Sequence, residues 1–287
     1  MKIARLMQNE KETYGLIKDN HVATKDSITF ETDIPLPFSI KDFLFEGWYD
    51  EIKYKISDIT FKDKFEKFSL LDPLPNPPKI ICLAFNYIDH AKEHSVIPPK
   101  NPVIFIKPRT TLCGTGSDIR CPHFVKQLDY EVEIAVIIGN TCKNVDESES
   151  KNYIFGYMIF NDVSARDIQM KDKQFTRGKS FDTFAPCGPW ITSTDEIVDP
   201  QNLQLITRIN GQVRQNSSSK NMFIGIPSIV SQLSKVMTLE KGDIIATGTP
   251  EGVALNNPDF PFLKDGDNIE MEIEKLGKIQ NTVKFID

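Results

Sequence analysis

Apolar positions along the chain fall in many short runs bounded by glycine, proline and polar residues. Few of these runs carry a helical period. Ile80–Ala84, Val103–Ile106, Gly156–Phe160, Cys187–Thr192, Leu203–Ile209, Ile244–Ala246, Asn268–Ile273 and Lys278–Ile286 read as strands. The run from Asp129 to Gly139 first alternates and then becomes continuously apolar, as a strand does on entering a core. Side chains alternate faces along a strand, so Asp129, Glu131 and Glu133 are expected on one face and Tyr130, Val132 and Ile134 on the other. Asn210-Gly211, flanked by Ile206 and Val213, is the strongest hairpin signal. A helical period runs through Ile226, Ile229, Val230, Leu233, Val236 and Met237. A short helix is expected over Asn86–His94, and Ser164–Asp172 reads as a loop or helical turn. Many short strands with few helices predict a mostly β architecture.

The pattern before residue 73 is looser. Residues 1–72 read as a small α+β module. Its strands are Lys2–Leu6 and Thr13–Ile17, with Asp19-Asn20 as their turn, and a short helix covers Ser39–Phe45. No chemistry is legible there, so a lid or packing appendage is expected. Pro73, Pro75, Pro77 and Pro78 remove backbone donors and fix φ, which predicts a linker over Leu71–Pro78. Residues 73–287 are then the second and larger domain.

Composition narrows the partners. The 287 residues carry a formal net charge of −6, which argues against nucleic acid as the main partner. An anionic substrate would need local positive charge. Cys82, Cys113, Cys121, Cys142 and Cys187 form no CxxC pair and no zinc spacing, which suggests reduced thiols. The N-terminus lacks the apolar run of a signal peptide, and no stretch is long and apolar enough to span a bilayer. A cytoplasmic protein with no membrane partner is the expectation.

Two carboxylates at i and i+2 on a strand about to be buried need a reason, because buried charges are paired or bound to metal. Glu131 and Glu133, with Asp162 at the end of Gly156–Phe160, form an all-oxygen set suited to a hard cation such as Mg²⁺. The other reading is a strand with a solvated acidic face, and both stand on pattern alone. His90 and Glu93 would lie three apart on one helix face, either as a surface pair or as a base oriented by an acid. His90 and His94 lie four apart, but Glu93 is out of place for the HExxH order of zinc enzymes. Lys179 could share the charge of an enolate, and Arg166, Gln169 and Thr249 could hold substrate carboxylates. Each of these is equally readable as an ordinary structural residue.

Several of these segments together resemble one family. Leu83-Ala84-Phe85-Asn86-Tyr87-Ile88-Asp89-His90-Ala91-Lys92-Glu93, Phe105-Ile106-Lys107-Pro108 and Asp129-Tyr130-Glu131-Val132-Glu133 are similar to the fumarylacetoacetate hydrolase family. So are Asn161-Asp162-Val163-Ser164-Ala165-Arg166-Asp167, Arg177-Gly178-Lys179-Ser180-Phe181-Asp182 and Thr247-Gly248-Thr249-Pro250-Glu251-Gly252-Val253. The match runs in order from about Ile80 to the C-terminus. The resemblance implies a mixed β-sandwich roll after the N-terminal module, a homodimer, and Mg²⁺ or Mn²⁺ at the site. It implies Glu131, Glu133 and Asp162 as metal ligands with Asp129 a neighbour of them and not a ligand, His90 and Glu93 as a dyad on a lid helix, and Lys179, Gln169 and Thr249 beside the substrate. It favours acylpyruvase-like members over fumarylacetoacetate hydrolase itself.

The implied chemistry is that of a 2-oxo acid whose C3 becomes carbanion-like. The expected reaction is hydrolysis of the C–C bond of an acylpyruvate by water that His90 and Glu93 activate. Decarboxylation or isomerisation of a 2-oxo diacid and dehydration of a 2-keto-3-deoxy sugar acid are the alternatives. A small-acid binder of the same fold is the non-enzyme alternative.

Overall fold

A computed structural model describes residues 1–93, 97, 99–255 and 257–287. His94 lies outside them. Strands make up 37% of the chain and helices 25%, so the expected mostly β class holds.

Two sheets carry the fold. The twelve-stranded main sheet begins at Asp63–Lys64 and passes through His21–Thr24, Lys11–Lys18 and Lys2–Gln8. It continues through Ala185–Ser193, Ile154–Asn161, Val132–Ile138, Ile244–Ala246 and Ile80–Ala84 to Val103–Lys107. The sheet is mixed: Ile244–Ala246 runs parallel to Ile80–Ala84, and its other neighbour, Val132–Ile138, is antiparallel. The second sheet has five strands, ordered Gln212–Ser218, Gln204–Ile209, Asn268–Ile273, Gly277–Ile286 and Asp118–Pro122. Asn210 (φ 50°) and Gly211 (φ 81°) turn its hairpin, as the Asn-Gly signal requires.

The central strand explains where the core sits. Val132, Ile134, Val136 and Ile138 pack with Leu205, Ile269, Met271 and Ile273 of the second sheet. Ala135 and Ile137 face the other way, into a cluster with Ile3, Tyr14, Phe43, Ile80 and Cys82. The strand is therefore buried on both faces, which is why its sequence runs apolar without a break.

The N-terminal segment contributes to that second cluster. Lys2 and Ile3 pair with Thr192 and Ile191, so the main sheet continues across the expected boundary near residue 72. Leu71–Pro78 has no regular structure, yet Leu74 is buried and Asp72 bonds Arg5 at 2.9 Å. One local expectation is corrected. Asn9 and Glu10, both at positive φ, turn Lys2–Gln8 into Lys11–Lys18, whereas Asp19-Asn20 closes the next hairpin, onto His21–Thr24. Both pairs suit the two-residue turns that match strand twist, and the sequence offered two such signals close together.

Candidate active site

Strand register assembles the acidic cluster. Val132 pairs with Asn161 in the antiparallel ladder, so Asp162 emerges beside Glu131. Its N–H donates to the Glu131 carbonyl at 2.9 Å, and the Asn161 side chain accepts the Glu131 N–H at 3.1 Å. Oxygens of Glu131, Glu133 and Asp162 lie within 4.8 Å of one another, and all three residues are buried. Burial on both faces of the strand rules out the solvated acidic face that pattern alone left open.

Asp129 does not share that arrangement. The strand breaks at Tyr130-Glu131, and Leu128–Asp129 pairs instead with Ser164–Ala165. Asp129 accepts the N–H groups of Ala254 and Leu255 and bonds Arg166 Nε at 2.8 Å. The alternation rule failed there because the backbone stopped being a strand.

Cations interleave with the carboxylates. Arg166, first residue of the helix Arg166–Asp172, bonds Glu131 at 2.6 Å and Gln169 at 3.1 Å. Lys179 donates to Glu131 at 2.6 Å and to Asp162 at 2.7 Å. Its Nζ also lies 5.0 Å from the centre of the Phe105 ring. Lys107 donates to the other Asp162 oxygen at 2.6 Å and to the Val163 carbonyl at 3.3 Å. The sequence signal for Lys107 is only its place, a lysine that closes the apolar run Val103–Ile106, and no site role follows from that.

Glu133 is the exception. It accepts the Gly248 N–H at 2.8 Å and, among the described residues, forms no ion pair. Burial raises its carboxyl well above the usual range, and the charges of Asp162 and Glu131 raise it further. Burial pushes Glu131 the same way, but Arg166, Lys179 and His90 outweigh it and hold that carboxyl well below the usual range. Burial works against the Lys179 ammonium, yet Asp162 and Glu131 raise its pKa. The result is an all-oxygen donor set in which, among the described residues, Glu133 forms no ion pair of its own. That arrangement fits a hard divalent cation, with Glu131, Glu133 and Asp162 as the residues to hold it.

The glycine-rich loop completes one wall. Ile244–Ala246 runs antiparallel beside Val132–Ile138, so Thr247, Gly248 and Thr249 continue along Ile134, Glu133 and Val132. Gly248 has φ +91°, and a Cβ there would lie 2.9 Å from the Asn86 Cβ. Gly248→Ala is therefore expected to cost roughly 1–3 kcal/mol through backbone strain and to move the N–H away from Glu133. Thermal denaturation and metal titration of the variant check both effects. Thr249 gives its one hydroxyl proton to the Val132 carbonyl and accepts from Gln215, so in this arrangement it offers a substrate only a lone pair.

His90 and Glu93 lie on the short helix Ile88–Glu93, with Nδ1 and Oε2 3.1 Å apart. Glu93 also accepts the Gly252 N–H at 3.0 Å. Phe85, held at φ 58°, stacks on His90 with ring centres 6.2 Å apart. A cavity of about 200 Å³ brings these groups together. His90, Glu131, Glu133, Arg166, Gln169, Lys179 and Thr249 all line it, and Phe85, Phe105, Met170, Phe175 and Leu255 form its apolar side. Of the residues singled out from sequence, Asp162 and Glu93 sit one contact behind this surface, bonded to Lys179 and His90.

Comparison with known proteins agrees with this geometry. Residues 79–284 match the model of the fumarylacetoacetate (FAA) hydrolase C-terminal family. The mitochondrial oxaloacetate tautomerase fahd2 of Xenopus laevis is 43% identical over 217 residues, covering 75% of this chain and 68% of that protein. Oxaloacetate tautomerase YisK of Bacillus subtilis is 41% identical over 228 residues, covering 78% of this chain and 76% of that protein. The solved structure of maleylpyruvate hydrolase from Sphingobium sp. SYK-6, in complex with manganese (II) ion and pyruvate, is 31% identical, with a TM-score of 0.81 and 100% of both chains covered. By the match over residues 79–284, the identity to these relatives and the likeness of the solved structure, the chain belongs to the fumarylacetoacetate hydrolase family.

Proposed function

We propose that this chain is a metal-dependent enzyme that interconverts the keto and enol forms of a 2-oxo diacid of the oxaloacetate kind. The observation that carries the reading is the buried Glu131, Glu133 and Asp162 cluster, of which Glu131 and Glu133 line a cavity that His90 and Lys179 also line. The likeness to oxaloacetate tautomerases over three quarters of the chain supports the diacid and the proton shift ahead of the acylpyruvate hydrolysis expected from sequence.

A Mg²⁺ or Mn²⁺ ion held by Glu131, Glu133 and Asp162 would supply Lewis-acid chemistry at the substrate's C2 oxygen. The residues of the chain do the rest. In the keto-to-enol direction a proton leaves C3, its electron pair forms the C2–C3 double bond, the C2–O π pair moves onto the oxygen, and that oxygen takes up a proton. His90 carries the C3 proton in this reading: Glu93 holds Nδ1, which turns the other ring nitrogen to proton transfer. Lys179 Nζ, fixed between Glu131 and Asp162, provides positive charge toward the oxygen on which charge develops. Phe85, Phe105 and Phe175 limit water around the reacting atoms.

The test is the disappearance of enol-oxaloacetate, followed by ultraviolet absorbance with Mg²⁺ or Mn²⁺ present. His90→Gln is expected to lower the enzymatic rate by about 10²- to 10⁴-fold, the usual range for a lost general base. An unchanged rate would remove His90 from the reaction. The His90–Glu93 pair also favours a second reading, water activation and C–C hydrolysis of an acylpyruvate. Release of pyruvate from acylpyruvates by the same preparation would establish that reading instead.

A further inference from the structure

We propose that Asp89 is a positioning residue, a latch that holds the helix Ile88–Glu93 so that His90 faces the cavity. The inference rests on the reading of His90 as the proton carrier.

The helix has six described residues, and isolated helices of a few turns do not hold their own geometry in water. Its side chains tie it to the rest of the fold. Asp89 uses its two oxygens differently. Oδ1 accepts the backbone N–H of His90 at 2.9 Å. Oδ2 accepts the Ser217 hydroxyl at 2.7 Å and the Asn221 amide at 3.2 Å. Asn221 also donates to Ser217 at 3.0 Å, which closes a three-membered polar cluster. Ser217 is the penultimate residue of the strand Gln212–Ser218, and Asn221 ends the short turn Ser219–Asn221. The latch therefore joins the helix to the second sheet. At the other end of the helix, Glu93 bonds Gly252 of the glycine-rich loop.

The segment just before the helix is clamped as well. Asn86 donates to the carbonyls of Ile224 and Thr247 and accepts the Ile224 N–H. The entry is thus fixed independently of Asp89. Loss of the latch would free the first turn, which carries His90, and leave Asn86 and the acidic cluster in place. A displacement of about 1 Å at a reacting group can cost on the order of 100-fold in rate.

Ser217 and Asn221 lie outside the cavity lining, so they can be changed without touching it. In the double variant Ser217→Ala/Asn221→Ala, amide hydrogen exchange at residues 90–93 is expected to quicken at least about tenfold. With oxaloacetate, kcat is expected to fall about tenfold to 100-fold, while the thermal shift produced by Mn²⁺ stays that of the wild type. Ser217→Thr keeps the hydroxyl and is expected to restore both exchange and kcat. Wild-type exchange in the double variant would overturn the latch, whether or not the protein turns over any 2-oxo acid. Faster exchange with an unchanged kcat in an active protein would also overturn it.

Discussion

Glu133→Gln is expected to abolish turnover without weakening the fold, whereas Glu131→Gln is expected to do both. Both carboxylates are buried and adjacent to the same cavity, so the difference comes from their partners. Glu133 is held by one backbone N–H and faces two like charges. Removing its charge relieves a buried repulsion, and the metal-free protein should become more stable, by roughly 1–3 kcal/mol, the scale of a poorly satisfied buried polar group. Glu131 is bonded to Arg166 and Lys179. Its loss leaves two buried cations short of a partner and should cost roughly 3–5 kcal/mol, toward the low end because each keeps a second carboxylate. In both variants the set of three oxygens is incomplete, so activity with Mg²⁺ or Mn²⁺ should fall by about 10³-fold or more, as when a strong electrostatic element of a site is lost.

The sign of the pH dependence separates the two further. The Glu133 carboxyl is raised in the folded chain. Above the ordinary carboxylate value the unfolded state gives up that proton first, so stability falls as pH rises toward neutrality. The advantage of Glu133→Gln should therefore vanish near pH 4 and grow toward pH 7, roughly the window that an ordinary Glu value opens. Glu131 is lowered, so its contribution is present above the ordinary carboxylate range and is lost as pH falls below it. Thermal denaturation of the chelator-treated proteins across pH reads both signs.

Lys107→Met is the second large effect. The Lys107 side chain is fully buried, and its ammonium bonds Asp162 and the Val163 carbonyl. Methionine replaces the unbranched stem, one heavy atom short of the ammonium, and removes the charge. Asp162 keeps Lys179 on its other oxygen, yet one of its oxygens loses its donor. The expected cost is about 3–5 kcal/mol, a fall in Tm on the order of 10 °C. Turnover should drop because Asp162 is no longer held opposite Glu131. A Tm within a degree or two of wild type would mean that Lys107 is not structurally coupled to the cluster.

Lys107 also marks the limit of what the sequence carried. Apolar runs such as Ile80–Ala84, Ile244–Ala246 and Asn268–Ile273 were legible with the same ends that the fold gives them, because turn residues bound each run. Glu131, Glu133 and Asp162 were legible as a candidate set because charge in such runs is conspicuous. Lys179 was legible as a positive group at the same site, but Lys107 was not, since it reaches Asp162 across 55 positions with no local signal. The same holds for the N-terminal segment. Lys2 and Ile3 join the main sheet through Thr192 and Ile191, a pairing with no local signal. The face expected for Asp129 fails for the opposite reason, because alternation does not extend past the point where the backbone leaves the ladder at Tyr130-Glu131. Its place as a neighbour of the ligands holds, since Arg166 bonds both Asp129 and Glu131.

One measurement bears on the whole reading: the rate of enol-oxaloacetate ketonisation with wild-type protein and with Glu133→Gln, each in Mn²⁺ and again after chelation. The expected result is acceleration by the wild type that requires Mn²⁺ and is absent from a folded Glu133→Gln variant. Acceleration that survives both chelation and Glu133→Gln would contradict a metal-supported enolisation at this site.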